Sequence, residues 1–142
     1  MTEHLNFIGG EWAAGNGFTP NLNPSDLADT VGLYAKGSAA QVDAAVQAAR
    51  AAMPAWQAVS VQARADALER IGIEILARKD ELGALLAREE GKTRPEAIGD
   101  VSRAGNIFKF FAGECLRTAG ELLPSVRPGI GVEITREPVG VV

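Results

Sequence analysis

One thiol, one imidazole and a few charged residues make up the chemistry available to this chain. Cys115 is the only cysteine and His4 the only histidine in 142 residues. A cysteine becomes a nucleophile when an imidazole, a cation or a helix N-terminus lowers its pKa. No His or basic residue faces Cys115, which falls in line with apolar residues at helical spacing. It reads as a small buried hydrophobe. One histidine near a terminus anchors no triad, and no Cys/His cluster has metal-ligand spacing.

Two charged features remain. Glu89-Glu90-Gly91-Lys92 is either a solvated helix end closing on glycine or part of a site. Arg103 shares a helix face with Ile107 and Phe110, so its guanidinium either snorkels to water or waits for an anion. Nucleotide-binding patterns are missing. Gly129-Ile130-Gly131 precedes a strand rather than a helix, the wrong setting for a dinucleotide turn, and there is no P-loop.

The elements that must position these residues follow from punctuation. Asn6-Phe7-Ile8, Gly9-Gly10 and Glu11-Trp12-Ala13 predict a tight hairpin, since Gly-Gly supplies the positive φ of a two-residue turn. Residues 18–23 and 30–36 predict two more strands around the turn Asn23-Pro24-Ser25-Asp26. A capping box at Ser38 and Gln41 opens a helix carrying Val42, Val46, Ala49 and Met53, which Pro54 is expected to close. Ser60 caps a second helix with Leu68, Ile71, Ile75 and Leu76 on one face. Asp80 caps a third, with Leu82, Leu85 and Leu86, that ends at Gly91.

A fourth helix runs from Pro95 toward Gly120. Its stripe of Ala97, Val101, Ala104, Phe108, Phe111 and Cys115 is joined by a second apolar face at Ile107 and Phe110. It is expected to pack on both sides. Residues 122–126 and 132–136 then predict a hairpin around a Pro/Gly-rich connection, and Val139 to Val142 begin another apolar strand. Strands, helices and strands in this order imply an α/β or α+β assembly, of which α/β is the expectation. The bare apolar strand at the end suggests the front piece of a larger protein.

Composition narrows the class. With 14 basic and 18 acidic residues the net charge is −4, so no basic surface is offered to nucleic acid. No stretch approaches the about 18 apolar residues that span a bilayer. A single cysteine and the absence of a basic-then-apolar leader make a soluble, cytoplasmic protein the expectation.

Together the segments resemble the start of an aldehyde dehydrogenase. The resemblance runs from Asn6 to Val142. It rests on Asn6-Phe7-Ile8-Gly9-Gly10-Glu11-Trp12, Asn23-Pro24-Ser25, Val42-Asp43-Ala44-Ala45-Val46 and Ala51-Ala52-Met53-Pro54-Ala55-Trp56. It continues through Glu90-Gly91-Lys92, Phe110-Phe111-Ala112-Gly113-Glu114 and Arg136-Glu137-Pro138-Val139-Gly140-Val141. Arg103-Ala104-Gly105 with residues 110–117 is further similar to the α-ketoglutarate semialdehyde dehydrogenase branch.

The resemblance implies oxidation of an aldehyde by NAD or NADP to a carboxylic acid through a cysteine thiohemiacetal. It also implies that the nucleophile, general base and cofactor turn lie beyond Val142, so residues 1–142 alone are expected to be inactive. It divides the chain into part of the cofactor-binding domain (1–120), an oligomerisation hairpin (121–138) and the start of a strand (139–142), within a homo-oligomer, dimer or tetramer. The Leu22 carbonyl and Glu89 match positions that hold a structural monovalent cation, although several relatives carry Asp at the latter. Arg103 matches the border of the aldehyde entrance tunnel, where it would meet a substrate carboxylate. The competing expectations are a freestanding helical scaffold or assembly module, and a regulatory decoy that joins full-length relatives.

Overall fold

Positive φ at Gly9 and Gly10 (62° and 91°) turns the chain back on itself near its start. The computed structural model describes residues 2–142. In it β2 (Asn6–Ile8) pairs antiparallel with β3 (Glu11–Ala13), and Phe7 and Trp12 meet with ring centroids 4.8 Å apart. β1 (Glu3–His4) runs parallel to β5 (Asp26–Ala35), whose other edge holds β4 (Phe18–Asn23) antiparallel. β5 begins four residues earlier than its apolar pattern suggests (Asp26 rather than Thr30). Asn23 Oδ1 accepts the Ser25 N–H at 2.9 Å, closing the turn at once so that pairing resumes at Asp26.

α1 (Ala39–Ala58) starts at the capping box: Ser38 Oγ accepts the Gln41 N–H, and Gln41 Oε1 accepts the Ser38 N–H. Pro54 does not close it. Proline removes one N–H from the helical ladder, yet the alanine-rich chain continues to Ala58 before Ser60 caps α2 (Val61–Ala77). α3 (Lys79–Glu90) follows without a side-chain cap. Asp80 lies inside its first turn, and the boundary is Arg78, which pairs with Glu81 through two hydrogen bonds of 2.7 and 2.9 Å. Gly91 ends α3 at φ 70°.

α4 (Arg94–Cys115) has Pro95 in its first turn and stops at Leu116, short of Gly120. Gly120 instead precedes β6 (Glu121–Pro124), where a Cβ would collide with the Ile134 carbonyl oxygen. β6 pairs antiparallel with β7 (Gly131–Ile134), and every residue of the two strands is exposed. Residues 139–142 join no ladder among the described residues, contrary to the strand expected there. Strand N–H and C=O groups need a neighbouring edge; Val141 and Val142 instead border an open cavity together with Ala49, Ala52, Met53 and Trp56 of α1.

The centre of the helical layer is built from small residues. Ala65 and Gly72 of α2, Gly83 of α3, and Ala97, Gly105 and Ala112 of α4 are buried. A Cβ on Gly105 would lie 2.7 Å from Leu76 Cγ and 3.1 Å from the Gly72 carbonyl oxygen, so α2 and α4 approach backbone to backbone. The large residues expected to fill the core sit at its margin: Ile71 is 43% and Phe111 53% exposed. Among the described residues no large side chain is fully buried.

Candidate functional site

The last turn of α3 is fastened to the β-sheet by adjacent residues of opposite charge. Arg88 grips Asp29 of β5, while Glu89 Oε1 accepts the Asn21 side-chain N–H of β4 at 2.9 Å. Ser25 Oγ donates to the Gly91 carbonyl at 3.3 Å. Thr19, Pro20, Asn21, Tyr34 and Glu89 line an open cavity of about 270 Å³. Leu22 does not line it, but it is the next residue along β4 and sits at a β-bulge, where the ladder slips on both sides of it. A bulge disrupts the local pairing. One carboxylate beside a bulged strand offers oxygen ligands and a single negative charge. Among the described residues no group of three His, Cys, Asp or Glu is placed to hold a metal.

A second cluster joins α3 to α4. Lys92 Nζ lies 2.7 Å from Asp100 Oδ2 and 2.5 Å from Glu90 Oε2. The Asp100 hydrogen bond, then that of Glu90, pushes the Lys92 ammonium above its usual pKa. The Lys92 hydrogen bond holds the Asp100 carboxyl below the usual carboxylate range, with a smaller push from the charge of Arg103. Arg103 is exposed on α4 and makes no ion pair among the described residues.

Cys115 is half-buried at the end of α4, and its carbonyl accepts from Thr118 Oγ1 at 3.2 Å. His4 stacks on Tyr34 with centroids 4.6 Å apart, so the imidazole is engaged on the β-sheet. The Gly129–Gly131 loop leads into β7, and the N-termini of α1 and α2 have amides already taken by Ser38 and Ser60. The sequence reading missed the Lys92–Asp100 pair. Its eight-residue spacing crosses a helix boundary, so no helical periodicity signals it.

Residues 12–142 match the model of the aldehyde dehydrogenase family. The chain belongs to that family. It is 36% identical over 141 residues to the alpha-ketoglutaric semialdehyde dehydrogenase of Bacillus subtilis, covering 98% of this chain and 29% of that one. It is also 36% identical over 144 residues to the vanillin dehydrogenase of Corynebacterium glutamicum, covering 99% and 29%. The crystal structure of an E. coli NADP-dependent enzyme superposes with a TM-score of 0.83 at 31% identity, over 89% of this chain and 27% of that one. The chain thus spans less than a third of the length of the aldehyde dehydrogenases it matches. Among the described residues no helix is long and apolar enough to cross a membrane.

Proposed function

We propose that these residues form the amino-terminal part of an NAD(P)-dependent aldehyde dehydrogenase that oxidises an aldehyde to its carboxylic acid, with α-ketoglutarate semialdehyde as the candidate substrate. Within that enzyme their work is structural and assembly-forming, and the catalytic and cofactor-binding groups come from further chain. The observation that carries this reading is the apolar surface left uncovered on the long helix α4 and on the β6–β7 hairpin. Phe110 is 61% exposed and Leu122 81%, which in a globular protein marks surface that packs against something else.

The finer assignments rest on the same frame. The β6–β7 hairpin is the assembly element of a homo-oligomer. Leu22 and Glu89 hold a monovalent cation that braces the last turn of α3. Arg103 meets the carboxylate of a semialdehyde at the tunnel mouth, supported by its exposure and its freedom from ion pairs. The similarity to a vanillin dehydrogenase leaves a neutral aromatic aldehyde as the competing substrate class.

The test is a chimera in which residues 1–142 replace the matching segment of the Bacillus subtilis relative. The chimera is expected to oxidise aldehydes with NAD⁺ or NADP⁺, and the isolated chain to oxidise none. Turnover by the isolated chain, or an inactive and misassembled chimera, counts against the proposal.

A further inference from the structure

Asp100 and Arg103 stand one helical turn apart on α4, a spacing at which opposite charges pair on a helix surface. The other positions one turn from Arg103 are Gly99, Asn106 and Ile107, so Asp100 is the only acid on α4 within that reach. Its carboxylate is nevertheless given to Lys92, 2.7 Å away. Lys92 belongs to the short link between α3 and α4, and its side chain is only 23% exposed against 40% for Asp100. The link is fixed by the left-handed turn at Gly91 and the Ser25 hydrogen bond to its carbonyl. The ammonium of the α3–α4 link therefore holds the carboxylate that one-turn spacing would otherwise offer to Arg103.

We propose that Lys92 is a positioning residue for substrate choice: by holding Asp100, it keeps the Arg103 guanidinium free to receive a carboxylate-bearing aldehyde. This rests on the reading of Arg103 as the group that meets an anionic substrate. Removing Lys92 leaves Asp100 without its cation, and the nearest cation on α4 is Arg103. A guanidinium paired with a neighbouring carboxylate attracts a second one weakly, because the local charge is already balanced. Lys92 does not touch substrate, and its effect falls on affinity for anions.

The experiment uses a full-length aldehyde dehydrogenase carrying residues 1–142. Lys92→Met is expected to lower the ratio of kcat/KM for a carboxylate-bearing over a neutral aldehyde by about fivefold, the upper end for an exposed ion pair, through KM. Lys92→Arg should keep the ratio, and Lys92→Met with Asp100→Asn should restore it. A structural role alone predicts equal losses on both substrates and no restoration, and that outcome overturns the proposal. Phenylglyoxal labelling of Arg103, followed by peptide mass spectrometry, reads the pairing without substrate. Labelling should slow several-fold in Lys92→Met and recover in the double variant; an unchanged rate overturns the proposal. Arg103→Met separates the two ideas. If it leaves the substrate ratio unchanged, the Arg103 reading fails and takes the role in substrate choice with it, while the labelling still decides whether Lys92 withholds Asp100.

Discussion

Arg88 and Asp29, 59 residues apart in sequence, meet as a two-armed pair: Nη2 to Oδ1 at 2.6 Å and Nε to Oδ2 at 2.9 Å. Asn23 adds a third donor, 3.2 Å from the same Oδ2. The pair fixes the last turn of α3 against β5 and so sets where Glu89 lies relative to β4. Two parallel N–H···O bonds give geometric specificity that a lysine could not supply.

This pair makes stability depend on acid. The Arg88 hydrogen bonds, helped by Asn23, hold the Asp29 carboxyl at about 2, down from 3.8, against a smaller opposing effect of burial. A carboxyl with a lower pKa in the folded chain contributes stability that is present above 3.8 and lost as pH falls through about 2. Carboxyl NMR titration should place the Asp29 midpoint near 2 and move it back toward 3.8 in Arg88→Met. A midpoint indifferent to that substitution would mean the pair does not hold in solution.

The close approach of α2 and α4 predicts opposite results for two glycines of one helix. A Cβ on Gly105 would meet Leu76 Cγ at 2.7 Å and backbone oxygen at 3.1 Å, whereas one on Gly99 meets nothing within 4 Å. Gly105→Ala should destabilise by about 1–3 kcal/mol through overpacking. Gly99→Ala should stabilise by about 0.5–1 kcal/mol by removing backbone freedom from a helix interior. Urea midpoints of the two variants check the pair of signs. A tolerated Gly105→Ala would mean the helices sit further apart than described.

Those glycines also show what the sequence conveyed and what it hid. Features set by one local rule were legible: the Gly9-Gly10 turn, the Ser38/Gln41 box, the Ser60 cap and the left-handed Gly91. Pro54 misled because the rule that proline stops a helix is a statement of cost, and the surrounding alanines meet it. The core misled because periodicity weighs large apolar side chains, while the tightest packing here belongs to Gly72, Gly83 and Gly105. Their signal was present as glycines that lower helix propensity without ending the helix. Of the site, Arg103 and Glu89 stood out by pattern and took their roles from resemblance, and Leu22 was named from resemblance alone. The Lys92–Asp100 pair needed the fold, since only the α3–α4 turn brings it together.

Cys115 should prove dispensable for chemistry. It is half-buried on α4, and the one imidazole of the chain is stacked on Tyr34. Cys115→Ser in the active chimera is expected to retain turnover. Cys115→Ala should cost roughly 1 kcal/mol for the loss of a small, partly buried group. Loss of turnover in Cys115→Ser with unchanged stability would return the thiol to the list of reacting groups.

The hairpin gives the most direct test of assembly. An isolated two-stranded ribbon is marginal in water and needs packing on a face to persist. Here every residue of β6 and β7 is exposed, with Leu122 of β6 81% and Val126 of the connecting loop 101% open to solvent. A covering surface is therefore expected. Purified residues 1–142 should self-associate at micromolar concentration and bind a dye that reports exposed apolar surface. Leu122→Glu with Val126→Glu should shift the sedimentation profile toward monomer while leaving far-ultraviolet helix signal unchanged, because neither residue touches the α2–α4 crossing. In the full-length enzyme the same double variant should dissociate the oligomer. A chain that is monomeric, silent to the dye and cooperative on heating before any substitution would show that the hairpin needs no partner, and the assembly role would fall.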